Sequence, residues 1–226
     1  MGKITAVIYK GRPHLLAKMD IWNFLKQLTD PASIIQYGGI FLLLIVVFAE
    51  TGLLIGFFLP GDSLIFVSGM FCSTKPGLLQ VGIAWLIVLM ILAAVLGNVA
   101  GYWFGRKAGP ALFKRDDSLI FKKKYLEATR NFYERHGGKA LILGRFLPVI
   151  RTFAPILAGA IKIDFKKFML YNIAGATAWI TSMSLCGFFL GKIKWVEENV
   201  GWIVIFLIVI TLIPVIQTWR KEKLSK

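Results

Sequence analysis

The sequence predicts an all-α integral membrane protein with about four transmembrane helices and two re-entrant helical hairpins that are related as an inverted repeat. First, 57% of the 226 residues are hydrophobic, whereas a soluble domain is roughly 45–50% apolar. Second, basic residues collect between the long apolar runs, as they do on the cytoplasmic side of membrane proteins. Third, the tripeptide Phe-Leu-Pro occurs in two apolar segments that also carry charges.

The net charge of +15 does not indicate a nucleic-acid partner. The basic residues flank apolar runs and form no soluble basic face. In a membrane protein such residues set the orientation of the chain and contact anionic lipid headgroups.

The chain begins with a mixed, basic segment, residues 1–33, which we expect to be cytoplasmic or interfacial. It contains a short amphipathic stretch, "DIWNFLKQL", of the kind that lies in a membrane surface. The first long apolar run starts near Ile34, too late for the apolar region of a cleavable signal peptide.

Charge in the loops then fixes the predicted topology of the membrane domain, residues 34–191, and of the last helix and basic tail, residues 192–226. Residues 106–139 carry ten Lys or Arg against four Asp or Glu, so this loop and both termini should be cytoplasmic. The short linkers 72–79 and 192–199 should lie outside. Full crossings are predicted near residues 34–50, 79–105, 166–190 and 200–219.

Two apolar segments remain, 50–73 and 140–161. Each starts and ends on the same side, so each should be a re-entrant hairpin. Their sequences resemble each other, since "FFLPGDSLIFVSG" can be set beside "RFLPVIRTFAPILAG". Two similar segments that enter from opposite sides indicate an inverted repeat.

Proline predicts the break in each hairpin, because it lacks an N–H and restricts the residue before it. In the first hairpin Pro60 and Gly61 should form the tip, with Asp62 or Ser63 capping the next half-helix.

In the second hairpin Pro148 should end one half-helix. Thr152 should cap the next, with Pro155 in its first turn. Broken backbone at membrane depth survives only inside protein or beside a wet cavity, so the two tips should meet in the interior.

Four ionisable residues lie in these segments: Glu50, Asp62, Arg145 and Arg151. A charge at the bilayer centre costs at least ~2.5–3.5 kcal/mol, so acids and bases should pair. The two arginines and a helix N-terminus near Thr152 form a candidate phosphate or carboxylate site, and the two acids are candidate proton or cation sites. The simpler alternative is that the four charges only lock the hairpins together.

Small and polar residues inside the predicted helices have a structural explanation. We expect Asn98 and Asn172 to form interhelical hydrogen bonds, and Gly97, Gly101 and Gly105 to mark a close helix contact. No His, Cys and carboxylate cluster has the spacing of a metal site, and the sequence predicts no cofactor.

Three motifs in order resemble the DedA family of bacterial membrane proteins, which share the VTT or SNARE-associated domain. They are "ETGLLIGFFLPGDSLIFVSG" from residue 50, "GNVAGYWFGRKAG" from residue 97 and "GRFLPVIRTFAPILAG" from residue 144. The resemblance implies that Glu50, Asp62, Arg145 and Arg151 are functional. It also implies re-entrant hairpins, lipid translocation and dependence on the proton motive force or sodium.

The leading hypothesis is therefore a flippase-like lipid transporter in the bacterial cytoplasmic membrane. Family members are linked to undecaprenyl phosphate or phosphatidylethanolamine, and the expected partners are phosphate-bearing lipids and protons or sodium ions. A homo-oligomer is compatible with this interpretation. The alternatives are an ion-coupled transporter of small solutes or drugs, an intramembrane enzyme and a purely structural membrane protein; no nucleophile or metal cluster favours the enzyme.

Overall fold

The computed structural model describes residues 31–53, 61–112, 142 and 148–207. Within these ranges the regular elements are all helices, as predicted. They are α1 (Pro31–Gly52), α2 (Gly61–Thr74), α3 (Pro76–Leu79), α4 (Ile83–Leu112), α5 (Pro148–Ala160), α6 (Phe165–Leu190) and α7 (Lys194–Glu198), and the backbone is helical again over 200–207. The predicted N-terminal amphipathic stretch, most of the 106–139 loop and the end of the last helix lie outside the described residues.

Two helices, α4 and α6, are long and apolar enough to cross a membrane. Their spans are Ile83–Gly109, with 27 residues, and Phe165–Leu190, with 26 residues, and only one third of the most apolar window of each (33%) is buried. Helices of this length cover a hydrocarbon core of about 30 Å. Several large apolar side chains of both helices are exposed, among them Trp85, Leu92 and Leu170, which suits contact with lipid.

The two spans lie antiparallel. Asn98 Nδ2 of α4 donates to Asn172 Oδ1 of α6 over 2.8 Å, and the hydroxyl of Tyr102 donates to the carbonyl of Ile163 over 2.6 Å. The second half of α4 therefore lies beside the start of α6. The first contact confirms the interhelical hydrogen bond that the sequence predicts.

The apolar run predicted to cross near 34–50 is interrupted. Gly39 has φ 54° and ψ −148° inside α1, a conformation that glycine adopts without the steric penalty of a Cβ. The stretch after the break, Gly38–Gly52, is a shorter apolar helix. It packs on α4, where Gly97 approaches Thr51 and Phe48 closely.

The two shorter helices, α2 and α5, each pack against one long helix. A Cβ added to Gly187 of α6 would overlap the carbonyl of Phe66 in α2, and one added to Gly105 of α4 would overlap the carbonyl of Ile156 in α5. The predicted close contact at Gly97, Gly101 and Gly105 is thus confirmed. Both crossings bring helix backbones together because no side chain separates them.

The registers of these two crossings correspond. Three contact residues of α2 each stand 90 residues before their counterparts in α5. Three residues in or directly after α6 each stand 82 residues after their counterparts in α4, and the first residues of α4 and α6, Ile83 and Phe165, are also 82 apart. The matched residues are Phe66 and Ile156, Gly69 and Gly159, Met70 and Ala160, Ser184 and Tyr102, Gly187 and Gly105, and Gly191 and Gly109.

The short helices leave the middle of the molecule in opposite directions. The end of α2 lies beside Gly191, just after α6, whereas the end of α5 lies beside Gly109, near the end of α4. Because α4 and α6 are antiparallel, α2 and α5 extend to opposite ends. The first turns of α2 and α5 therefore lie near the middle of the long helices α4 and α6.

Candidate functional site: a buried charge cluster

Three charged side chains meet in the interior, and we call Glu50, Asp62 and Arg151 the charge cluster. Arg151 Nη1 donates to Asp62 Oδ1 over 2.6 Å, and Arg151 Nη2 donates to Glu50 Oε1. The side chains of Glu50 and Arg151 are each 3% exposed, and that of Asp62 is 13% exposed. One guanidinium therefore bridges a buried carboxylate and a mostly buried one.

An indole completes the cluster. Trp179 Nε1 donates to Asp62 Oδ1 over 3.1 Å, and the guanidinium carbon of Arg151 lies 4.2 Å from the centroid of the Trp179 ring. This distance is well within the range of a cation–π interaction. Trp179 thus contacts both partners of one ion pair.

Four helices supply these residues. Glu50 lies in the last turn of α1, Asp62 in the first turn of α2, Arg151 in the first turn of α5 and Trp179 near the middle of α6. The helix dipole favours Asp62, since a helix N-terminus stabilises an anion. Glu50 at a helix C-terminus and Arg151 at a helix N-terminus are not favoured by their own helices, and their ion pair offsets this.

Gly61, the first residue of α2, allows Glu50 to reach the cluster. A Cβ added at Gly61 would overlap the Glu50 carboxyl group. The glycine thus leaves the space that the carboxylate occupies. A glycine is required here because Gly61 and Glu50 approach each other closely.

Two polar atoms of the cluster have no hydrogen-bond partner among the described residues. They are Glu50 Oε2 and Arg151 Nε, and both are buried. With one positive and two negative groups, the three ionised side chains carry a net charge of −1. A buried charge that is not fully compensated is costly, so the described part of the cluster favours a further positive group, whether a proton, a cation or a basic side chain.

The structure brings Glu50, Asp62 and Arg151 together, with Thr152 buried next in the chain. Arg145 and Pro60 lie outside the described residues. Pro148 is at the start of α5, where a proline is well tolerated because its missing N–H would have no helical partner. Pro148 therefore begins a helix, and the half-helix that it is predicted to end lies outside the described residues.

This earlier helix start corrects two predictions. Thr152 and Pro155 lie inside α5, so Thr152 is not an N-cap and Pro155 is neither in the first turn nor at a tip. Asp62 also lies within the first turn of α2. Its carboxylate is committed to Arg151 and Trp179 and does not cap the helix.

The sequence does not single out Trp179, because an aromatic residue in an apolar helix is ordinary. The spacing between Trp179 and Asn172 could have identified it. Trp179 follows Asn172 by seven residues, or two turns, so both lie on one face of α6; both are buried. Asn172 is polar and must face the interior, so it identifies the buried face of α6. A tryptophan on that face would lie near the buried charges.

The described residues contain no group of three or more His, Cys, Asp or Glu side chains that could hold a metal ion. The described part of the site comprises one guanidinium, two carboxylates and an indole. Together they can bind anions and cations and exchange protons.

Comparisons with known proteins agree with the motifs. The VTT domain family matches residues 59–189. Protein DedA of Escherichia coli K12 is 40% identical over 183 residues, which cover 80% of this chain and 83% of that protein. An uncharacterized membrane protein of Mycobacterium tuberculosis H37Rv is 39% identical over 76% of this chain and 74% of its own length. Inner membrane protein YqjA of Escherichia coli K12 is 26% identical over 80% of this chain and 84% of its own length. No solved structure matches the chain.

Proposed function

Because this chain belongs to the DedA family of VTT-domain membrane proteins, we propose that it is a flippase-like transporter that moves a phosphate-bearing lipid across the cytoplasmic membrane. Undecaprenyl phosphate and phospholipids are the expected substrate class, and protons or sodium ions drive the movement. The lipid leaves with the same covalent structure with which it enters, so the protein performs no chemical reaction.

The observation that carries this proposal is the bridging of Glu50 and Asp62 by the buried Arg151. A guanidinium binds phosphate through the same planar fork that it uses for carboxylates. Arg151 also lies in the first turn of α5, where backbone N–H groups lack helical partners and the helix dipole favours an anion. Arg145, which the motif places six residues earlier, is proposed to assist.

The net charge of the cluster couples the binding of an anionic headgroup to the binding of a cation. A phosphate that approaches Arg151 enters a cluster whose ionised groups already sum to −1. Neutralisation of Glu50 or Asp62 by a proton or a sodium ion removes this repulsion and frees a donor of Arg151. Each ligand therefore increases the affinity for the other, since such a coupling is reciprocal.

The predicted crossing near 34–50 is not complete, since α1 ends at the level of the charge cluster. The proposed topology therefore keeps the other predicted crossings and the two re-entrant hairpins of an inverted repeat. It is supported by the matched crossings of α2 on α6 and of α5 on α4, which share one register. Support also comes from the two short helices, which begin at midlevel and leave toward opposite ends. Hairpins of this kind expose the site alternately to the two sides as the repeats rock.

The orientation is proposed from the charges at the two ends. The end formed by the C-terminus of α4 and the N-terminus of α6 has five basic and one acidic described residues: Arg106, Lys107, Lys162, Lys166 and Lys167, with Asp164. The opposite end has three basic and two acidic: Lys75, Lys192 and Lys194, with Glu197 and Glu198. The more basic end is assigned to the cytoplasm.

Reconstitution in liposomes tests the proposal. Labelled phosphatidate and undecaprenyl phosphate are followed between leaflets, with labelled diacylglycerol as the phosphate-free control and with or without a proton or sodium gradient. We expect the phosphate lipids alone to move faster than in empty liposomes, and a gradient to increase the rate. Equal rates in empty and protein-containing liposomes, under every gradient, would refute lipid transport.

Two substitutions separate transport from a structural lock. Glu50→Gln should leave a folded protein that no longer responds to a gradient, whereas a lock predicts loss of thermal stability in detergent. Glu197→Gln, at an exposed site, is the matched control and should behave as wild type. Arg151→Lys should slow transport by about tenfold or more, because a charge-assisted hydrogen bond contributes roughly 1.5–3 kcal/mol; an unchanged rate would show that the arginine fork is not needed.

A further inference from the structure

We propose that Trp179 is a positioning residue, which keeps Arg151 and Asp62 in place while the guanidinium exchanges a carboxylate for the phosphate of a lipid headgroup. The effect on transport rests on the proposed function. The contacts on which the inference depends do not.

Trp179 interacts with the cluster through two separate parts of its side chain. The ring face lies against the guanidinium, with 4.2 Å between the Arg151 guanidinium carbon and the ring centroid. The indole Nε1–H, the only polar group of the side chain, donates to Asp62 over 3.1 Å. One rigid side chain therefore fixes the relative position of a cation and an anion.

The surroundings hold this indole firmly. Trp179 is 2% exposed and lies on the buried face of α6 with Asn172, Gly175 and Ala176. A buried indole N–H requires a partner, and Asp62 is the partner that the structure gives it. Rotation of the ring away from the cluster would leave the indole N–H unpaired and would remove one of the two donors to Asp62 Oδ1.

These two contacts suit an exchange of ligands. The attraction of a cation to a ring face is electrostatic and uses none of the N–H donors of the guanidinium. Arg151 can therefore turn from a carboxylate to a phosphate while it remains over the ring. When Nη1 leaves Asp62, the indole N–H still donates to the same oxygen, so the buried carboxylate keeps a hydrogen bond. Without the hydrogen bond from Trp179, the exchange would leave the Asp62 carboxylate unpaired, and an unpaired charge in the interior is costly.

Two variants separate the two contacts. Trp179→Phe keeps the ring face and removes the N–H donor, and Trp179→Leu removes both. Phe168→Leu is the matched control, since Phe168 is a buried aromatic residue of α6 that packs near Tyr102. We expect Trp179→Phe to raise the half-saturating concentration of phosphatidate in the liposome assay by about tenfold, equivalent to about 1.4 kcal/mol. Trp179→Leu should raise it further, and the control should not change it.

Fluorine NMR provides a test that does not require transport. The seven tryptophans of the full chain are replaced by 5-fluorotryptophan in detergent micelles, and the resonance missing from Trp179→Phe, or from Trp179→Tyr if the first variant does not fold, belongs to Trp179. Asp62→Asn and Arg151→Lys should each shift this resonance more than Glu197→Gln does. Dihexanoyl phosphatidate should also shift it, whereas dihexanoylglycerol should not.

The outcomes are distinguishable. A Trp179 resonance that is unchanged in both Asp62→Asn and Arg151→Lys overturns the inference, as does a wild-type half-saturating concentration in Trp179→Phe. If the resonance responds to both cluster variants while the wild-type protein moves no lipid, the positioning role of Trp179 stands and the proposed transport function fails.

Discussion

Gly61 shows how closely the residues of the charge cluster are fitted. The Glu50 carboxyl group occupies the space that a Cβ at Gly61 would fill, so one missing methyl group admits a buried acid. The acid then reaches Arg151, which also binds Asp62. The position of the glycine is thus determined by the chemistry of the site.

Gly61→Ala should therefore destabilise the protein. The added methyl group must displace Glu50 from its position beside Arg151. Overpacking of this kind costs about 1–3 kcal/mol, and we expect a loss of this size in the free energy of unfolding in detergent micelles.

The matched control is Gly201→Ala. Gly201 is helical and exposed, and a Cβ there meets no atom within 4 Å. An alanine in a helix is about 0.5–1 kcal/mol more favourable than a glycine, so this variant should be slightly more stable than wild type. Equal stability of the two variants would show that Glu50 does not fill the space beside Gly61.

The charged residues of the site could be identified from the sequence, but their supports could not. Glu50, Asp62 and Arg151 interrupt apolar runs, and the cost of a charge in hydrocarbon makes such residues conspicuous. Trp179 and Gly61 carry no such cost in a membrane helix. Their roles depend on which atoms of distant helices approach them, and this information is not local.

At the scale of the helices, the principal feature is the correspondence between two crossings. Gly187 packs on Phe66 and Gly105 packs on Ile156, and in each case the added Cβ would overlap a backbone carbonyl. A side chain at either position would have to push two helices apart. The two crossings should therefore be about equally sensitive to substitution.

We predict that Gly105→Val and Gly187→Val each lower the free energy of unfolding by about 2–3 kcal/mol, near the upper end of the range for overpacked cores. Equilibrium unfolding in detergent micelles measures the loss. Gly201→Val, in an exposed helical turn, should remain within about 0.5 kcal/mol of wild type. If only one of these two helix–helix contacts tolerated valine, the contacts would correspond in backbone register and not in how tightly they pack.

Prediction succeeded for long helices and failed at their ends. The apolar runs indicated α4 and α6, and the glycine stripe indicated a close contact. Thr152 and Pro155 were misplaced because a proline can either end a helix or start one. At Pro148 the second effect applies, which moves the start of α5 four residues before Thr152. Local sequence does not distinguish these cases.

At the scale of the whole molecule, the charged residues of the described ranges lie at the two ends of the long helices and in the cluster between them. Among the described residues, every charged side chain outside the cluster lies at one of the two ends, and the cluster lies between them. The bilayer explains this distribution, since an ionised side chain in the hydrocarbon core costs ~2.5–3.5 kcal/mol or more unless it is paired. The more basic end should face the cytoplasm.

Cysteine labelling in spheroplasts tests this orientation. Lys162→Cys and Lys194→Cys, at exposed sites on opposite ends, are introduced singly after both native cysteines are replaced by serine. Because the end that contains Lys162 carries the excess of basic residues, a membrane-impermeant maleimide should label only Lys194→Cys in intact spheroplasts and both variants after permeabilisation. Labelling of Lys162→Cys alone would invert the orientation. Labelling of both in intact spheroplasts would place the two ends on one side, so α4 and α6 would not cross the membrane.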